Sequence, residues 1–295
     1  MRVFVTGATG FIGSAISREL IDTGHQVLGL ARSDAGAKSL AAAGVQVHRG
    51  DLEDLESLRS GAATSDAVIH CAFIHDFTTF KENCEIDRRA IETLGDALAG
   101  SNRPMIVTSG TGGLAPGRVA TEDMEPTVHR ALPRVSEQTG LAQLSRGVNV
   151  SVMRLPQVHN TVKQGLVTYA IQMAREKGIS AYIGDGLNRW PAAHVLDVAH
   201  LYRLALEKHE AGSRYHAAAE EGVPVRDIAE AIGRGLRVPV VSIAQQEAPA
   251  HFGWLSTFIA WDNRASSAKT REKLGWNPTG PTLLTDLSNM NFFPA

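Results

Sequence analysis

The sequence predicts an α/β protein built on a doubly wound parallel sheet, followed by a small C-terminal substrate-binding lobe. Two observations carry that expectation. Short apolar, β-branched runs alternate with helical patterns through the first half of the chain, and a glycine-rich loop separates the first run from the first helix. At 295 residues the chain is also long for one compact core, which suits a large sheet domain with an appended lobe.

Arg2–Thr6 (RVFVT) is the first strand, and Phe11, Ile12, Ala15, Ile16, Glu19 and Leu20 follow it at helical spacing. After Gly24, Gln26–Ala31 (QVLGLA) reads as a second strand, residues 38–43 as a short helix and 45–48 as a third strand. Two βαβ crossovers are then complete. Residues 51–58 supply a helix, 67–72 (AVIHCA) a buried strand, 87–98 an amphipathic helix and 104–108 (PMIVT) a fifth strand. A helix over 126–145, interrupted by Pro133, leads into a sixth strand over 148–154. Beyond it the alternation decays. Helices are expected over 166–176, 197–207, 226–233 and 267–274, with a short strand at 179–183 and a return to the sheet at 214–217. The expected division is a nucleotide-binding domain over 1–160, rejoined by segments near 190–217, and a mostly substrate-binding lobe over 161–295.

Composition narrows the function. Lys and Arg number 29 against 31 Asp and Glu, a net charge of -2, which removes the electrostatic basis for a nucleic-acid binder. Cys71 and Cys84 alone make neither a disulfide framework nor a four-ligand metal site, so a cytoplasmic protein without metal is expected. The opening residues lack the long apolar stretch of a signal peptide or a spanning helix, and no membrane association is expected.

The loop T-G-A-T-G-F-I-G, with Gly7, Thr9, Gly10, Phe11, Ile12 and Gly13, opens the first helix directly after the first strand. Gly7 allows a tight turn, Gly10 lets backbone approach a pyrophosphate, and Gly13 lets the helix pack closely on the strand. The helix N-terminus then presents free N–H groups and partial positive charge to phosphate. The chain therefore reads as a dinucleotide binder of the Rossmann type. At the end of the second strand, Arg32 and Ser33 suit a 2′-phosphate, which predicts NADP. The alternative is a solvated Arg32 with Asp34 turned back to an unphosphorylated ribose, which would select NAD.

With these motifs in place the chain resembles the short-chain dehydrogenase/reductase superfamily, in its extended and atypical branches that include NAD(P)-dependent epimerases and dehydratases. The landmarks are Thr6 to Gly13, Gly50-Asp51-Leu52, His70-Cys71-Ala72, Val107-Thr108-Ser109, Arg154-Leu155-Pro156-Gln157-Val158-His159 and His194-Val195-Leu196-Asp197. The resemblance implies that Asp51 and Leu52 lie against the adenine, Ala72 against the adenosine ribose, and Pro156 to Val158 near the nicotinamide carboxamide. It also implies that His159, Arg189, Trp190 and His194 shape the substrate pocket. His75-Asp76 follows the fourth strand on the same rim, where it could face nicotinamide or substrate.

The family's usual acid is a Tyr with a Lys four residues later. Here Tyr169, Tyr182, Tyr202 and Tyr215 are followed at that distance by Met173, Gly186, Leu206 and Ala219. Glu137 resembles the family's acid eight residues beyond the Tyr, which puts His129 in the tyrosine slot, Pro133 in the lysine slot, and Arg130 and Arg134 beside them. Asp87 stands where the family has Asn. The candidate proton sources are His129 and a water ordered by Ser109 or Thr111 at the end of the fifth strand. The implied function is an NADP-dependent oxidoreductase moving hydride between cofactor and a small carbonyl, hydroxyl or enone compound. A non-catalytic NADP-binding sensor and a nucleotide-sugar epimerase are the alternatives. In similar proteins two helices of each subunit pair across a twofold axis, so a homodimer through residues 87–98 and 126–145 is expected, with Ile91, Leu94 and Leu98 as its apolar stripe.

Overall fold

In the computed structural model, which describes residues 1–126 and 133–293, the alternation read from the sequence becomes a layered sheet. Strands β1 (Arg2–Thr6), β2 (Gln26–Ala31), β3 (Gln46–Arg49), β4 (Ala67–His70), β5 (Pro104–Gly110) and β6 (Asn149–Leu155) alternate with helices α1 (Phe11–Asp22), α2 (Asp34–Ala42), α3 (Leu55–Ala63), α4 (Phe80–Leu98) and α5 (Ser136–Ala142). The second half holds β7 (Gln157–His159), α6 (Val167–Lys177), β8 (Ser180–Ile183), β9 (Arg189–His194), α7 (Val195–Lys208), β10 (Arg214–His216), β11 (Glu220–Pro224), α8 (Val225–Leu236) and β12 (Val240–Ile243). Four short helices complete it: α9 (Ala248–Phe252), α10 (Ser256–Ile259), α11 (Ala268–Leu274) and α12 (Leu283–Asn289). No helix among the described residues is long and apolar enough to cross a membrane.

Seven strands form one parallel sheet in the order β3-β2-β1-β4-β5-β6-β10. The strands are apolar on both faces because both are covered. Val3 and Val5 pack with Ile16, Leu20, Val198 and Leu201 of α1 and α7. Phe4, between them, points the other way, to Leu58, Ile91 and Leu94 of α3 and α4. The strand order reverses between β1 and β4, and this leaves a crevice at their carboxyl ends.

Several boundaries differ from expectation for local reasons. Helix α2 begins at Asp34 because Ser33 caps it, its hydroxyl accepting from the Gly36 N–H, and α3 begins at Leu55 because Asp54 caps it through the Ser57 N–H. Helix α4 starts at Phe80, seven residues before the expected 87. The helix expected over 126–145 is confined to Ser136–Ala142 and a 3₁₀ turn at Gln143–Arg146 among the described residues. Strand β9 went unread because Pro191 argues against a strand interior. It is nonetheless the central strand of a three-stranded sheet, β11-β9-β7, since the β11 register slips between Glu220 and Val223, opposite Pro191, where no ladder bond is needed. With α6, α8, α9 and α12, this sheet encloses a second core around Trp190, Ile171, Ile228, Phe252 and Leu283.

The stripe expected to join two subunits is used inside one. Ile91, Leu94 and Leu98 are fully buried under the sheet, and the outward side of α4 carries Arg88 paired with Glu85 and Glu92. That stripe is therefore not available to a partner.

One buried ion pair ties α5 to the sheet edge. Arg154 is fully buried and donates to both carboxylate oxygens of Glu137, at 2.7 and 2.5 Å. It also donates to the Glu122 and Met124 carbonyls at 3.3 and 2.7 Å. Arg214 of β10 adds a bond to Glu137 at 2.8 Å. His216 completes the site: with Nδ1 donating to the Ser266 carbonyl at 2.8 Å, Nε2 accepts from Arg154 at 3.0 Å. Burial first, and then the Arg154 charge, push its pKa down to about 4. Glu137→Gln would leave Arg154 buried without its counter-charge, and the expected loss is about 3 kcal/mol of unfolding free energy. Urea unfolding followed by circular dichroism measures it, and a change under about 0.5 kcal/mol, the size of an ordinary surface substitution, would contradict the assignment.

Candidate active site

The crevice between β1 and β4 is lined first by glycine. Gly7 has φ +73°, and a Cβ there would lie 2.8 Å from the Ala72 nitrogen, so backbone from the two strand ends meets with no room for a side chain. A Cβ on Gly13 would lie 2.1 Å from the Gly7 carbonyl oxygen. Gly10 precedes α1 with no side-chain cap, and its own N–H bonds the Gly7 carbonyl at 2.8 Å. The first N–H groups of α1, at Phe11 and Ile12, therefore open toward the crevice beside exposed Thr9 and Gly10. Such a cradle fits a dinucleotide pyrophosphate.

At the far end of β2, Arg32 is exposed and its side chain has no partner among the described residues. Asp34, the group that could instead meet an unphosphorylated ribose, is taken by Arg49 at 2.8 Å. Ser33 is half-committed: its oxygen accepts from Gly36 at 3.1 Å, and its proton is still free to donate. Asp51 folds back on the Glu53 N–H at 3.0 Å, while Leu52 is buried in the apolar layer. Ala72 and Pro156 are half-buried along the rim, and Val158 is buried.

Behind the rim runs a chain of polar groups. Thr6 Oγ1 accepts from the N–H groups of Cys71 and Ala72 at 3.2 and 3.3 Å, so its proton goes to His70 Nδ1 at 2.9 Å. That assigns the His70 proton to Nε2, which donates to Asp87 Oδ1 at 3.0 Å. Ser136 donates to Asp87 Oδ2 at 2.5 Å and accepts from Arg134 Nε at 2.7 Å. Arg134 Nη2 donates to the Thr108 carbonyl at 3.1 Å, and its guanidinium lies over the Phe73 ring at 4.2 Å. Asp87 is almost fully buried. Burial by itself would raise its pKa, but the His70 hydrogen bond, then the Arg134 charge and the Ser136 hydrogen bond, outweigh it and hold the carboxyl below its ordinary value. A half-buried cation is thereby fixed at the carboxyl ends of β4 and β5.

This geometry agrees with what the chain is similar to. The model of the NAD dependent epimerase/dehydratase family matches residues 3–131. An uncharacterized protein of Schizosaccharomyces pombe is 49% identical over 298 residues, covering 99% of this chain and 100% of the relative. The chain belongs to the NAD dependent epimerase/dehydratase family. The 2-alkyl-3-oxoalkanoate reductase of Stenotrophomonas maltophilia is 26% identical over 83% of this chain and 78% of its own length. Among solved structures, the UDP-glucose 4-epimerase of Thermus thermophilus, complexed with NAD, superposes with a TM-score of 0.77 at 20% identity, over 99% of each chain.

Within this epimerase/dehydratase frame the expected catalytic residues fare unequally. Ser109 is half-buried on the rim, with no side-chain hydrogen bond among the described residues. Thr111 is buried and ties its hydroxyl and N–H to the Leu155 carbonyl, at 3.3 and 3.0 Å. It fastens the loop, its hydroxyl proton spent on the Leu155 carbonyl rather than on a water, which corrects its expected role. His129 lies outside the described residues. Tyr202 is fully buried and hydrogen-bonded to Thr108 Oγ1 at 2.7 Å, with its phenol pushed well above the ordinary range by burial, so it supplies no acid to the cleft.

The expected substrate residues divide in the same way. His75 stands in the mouth of the cleft between Phe73 and Phe77, at 5.2 and 6.5 Å, with its pKa lowered by desolvation and then by Arg134. His159 is fully buried, bonded through Nδ1 to Asp286 at 2.7 Å with Nε2 3.8 Å from Glu220. Trp190 is 2% exposed in the lobe core. His194 caps α7 through the Leu196 N–H at 3.4 Å. The structure thus corrects the expected pocket roles of His159 and Trp190, which are interior, and gives His194 a structural bond instead. Sequence reasoning missed the His70–Asp87 contact, which joins residues 17 apart on different elements, and passed over Arg134 as a mere flank of the eroded motif.

Asp87→Asn tests the chain of bonds. An amide would bring N–H groups to face either the His70 or the Ser136 donor, and the expected cost is about 2 kcal/mol of stability at pH 7. The Asp87 pKa is lowered in the fold, so its contribution is complete above the unfolded value of about 3.9 and is lost as pH falls through the folded value. Denaturant titrations between pH 5 and 2, chosen to bracket that value of about 3.9, should show a smaller decline for Asp87→Asn. An unchanged slope would contradict the ionised, bonded state.

Proposed function

We propose that the chain is an NADP(H)-dependent oxidoreductase acting on a small carbonyl, hydroxyl or enone compound. The observation that carries the cofactor choice is the unpaired Arg32 at the end of β2, beside an Asp34 already held by Arg49. Gly7, Gly10, Gly13 and the open first turn of α1 would hold the pyrophosphate, with Arg32 and the Ser33 hydroxyl on a 2′-phosphate. When bound, the cofactor supplies or accepts hydride at its nicotinamide ring. The chain's own contribution at that end is positioning by Pro156 to Val158 and a fixed positive charge at Arg134. An arginine does not titrate near neutral pH, so it stabilises developing charge on oxygen rather than transferring a proton. Ser109 and solvent are the proton source at this rim. The reductase relative supports the carbonyl reading by its name.

Calorimetric titration tests the reading. NADPH should bind more tightly than NADH, and Arg32→Ala should remove about 1.5 to 3 kcal/mol of that preference, the worth of a hydrogen bond to a charged group. Equal affinities would overturn the NADP assignment. Tight NADPH binding without oxidation across a panel of aldehydes, ketones and enones would instead favour a non-catalytic sensor.

A further inference from the structure

The segment after β4 and the α9–α10 region of the lobe meet through aromatic rings. From the Arg134 guanidinium the contacts run to Phe73 at 4.2 Å, His75 at 5.2 Å and Phe77 at 6.5 Å. Phe77 stacks on Trp254 with ring centroids 3.9 Å apart and planes 10° from parallel. Trp254 continues to Phe258 at 6.0 Å and Phe258 to Trp261 at 5.6 Å. Trp261 returns to the sheet beside Gly112, where a Cβ would lie 3.9 Å from its ring, in the loop just past Ser109. The path therefore starts and ends at the carboxyl ends of β4 and β5, the end of the sheet that carries the cofactor crevice.

Phe73, Phe77, Phe258 and Trp261 are half-buried, whereas His75 is exposed and Trp254 is 36% exposed. Aromatic carbon left open to water at this rim is costly, which favours an apolar occupant. Among the described residues the cation in contact with a belt ring is Arg134, over Phe73 at 4.2 Å, while Lys163 stands farther off over the Phe11 ring at 6.0 Å. Arg134 Nε and Nη2 are committed to Ser136 and Thr108, and Nη1 has no partner among the described residues. One guanidinium edge with one uncommitted nitrogen matches a single oxygen acceptor and offers little to a diphosphate, which needs several cationic donors.

We propose that the belt and Arg134 form the binding site for a flat, apolar, ring-bearing carbonyl compound, its plane packed on the outer, Trp254 face of the Phe77–Trp254 stack and its oxygen accepting from Arg134 Nη1. This rests on the oxidoreductase reading and gives it a substrate class. Ring stacking on aromatic side chains provides the affinity and the arginine provides the orientation.

The test is calorimetry on the full chain saturated with NADP⁺, with 9,10-phenanthrenequinone as the planar dicarbonyl probe and UDP-glucose as the contrast. The expected result is saturable quinone binding that UDP-glucose does not displace. Phe77→Ala and Trp254→Ala should each weaken it tenfold or more, with Trp254→Phe within threefold of the parent. Arg134→Gln should also weaken it at least tenfold, and Arg134→Lys should recover part of the loss. Thermal unfolding and NADP⁺ affinity of each variant report whether it is folded, and Trp254→Phe keeps the comparison usable should an alanine variant unfold. Absence of quinone binding, displacement by UDP-glucose, or variants that bind as the parent does would each overturn the proposal. If NADP⁺ itself fails to bind, the oxidoreductase reading falls; if NADP⁺ binds and the quinone does not, only the substrate class falls.

Discussion

The rim of the sheet depends on one buried carboxylate. Asp87 receives a donor from each side, His70 on one oxygen and Ser136 on the other, and each donor is itself oriented by a further group. In a low-dielectric interior such a chain is strong when complete and costly when broken, so its members have little freedom to move independently. At one end Thr6 also receives the Cys71 and Ala72 N–H groups, at the place where the Gly7 backbone leaves no room for a side chain. At the other end Arg134 is held against Thr108 and Phe73. The phosphate cradle and the cation of the candidate catalytic end are therefore positioned by the same set of bonds.

The two ends answer to different chemistry. The candidate cradle presents backbone N–H groups and glycine, which any dinucleotide can exploit, with the exposed Arg32 and Ser33 beside it at the end of β2. The opposite end uses side chains: one guanidinium, the Ser109 hydroxyl and a belt of aromatic rings from two parts of the chain. A shared cradle with a variable rim is how one sheet architecture supports unlike substrates. Among the described residues this rim is rich in aromatic carbon.

Much of the sheet domain was legible from sequence because its strands are continuous apolar runs and its first turn is punctuated by glycine. Gly7 to Gly13 and Arg32 stand where the pattern placed them. The lobe was less legible because its strands are three to six residues long, and Pro191 hid the central one of them until the β11 bulge explained it. His159, Trp190 and His194 were assigned by position along the chain, which does not say which way a side chain points. Thr111 failed for the same reason, since its hydroxyl turns to Leu155. The Asp87 chain was invisible because its members come from β1, β4, α4 and α5 and the segment before α5, and only the folded sheet brings them together.

If Asp87 holds the rim as one unit, the energetic effects of Asp87 and Arg134 must be coupled although no direct bond joins them. A double-mutant cycle with Asp87→Asn, Arg134→Gln and the combined variant, read as unfolding free energies in urea, measures that coupling. An interaction energy of about 1 kcal/mol or more is expected for residues within one hydrogen-bonded network. Effects that add to within about 0.3 kcal/mol, as for independent sites, would contradict it.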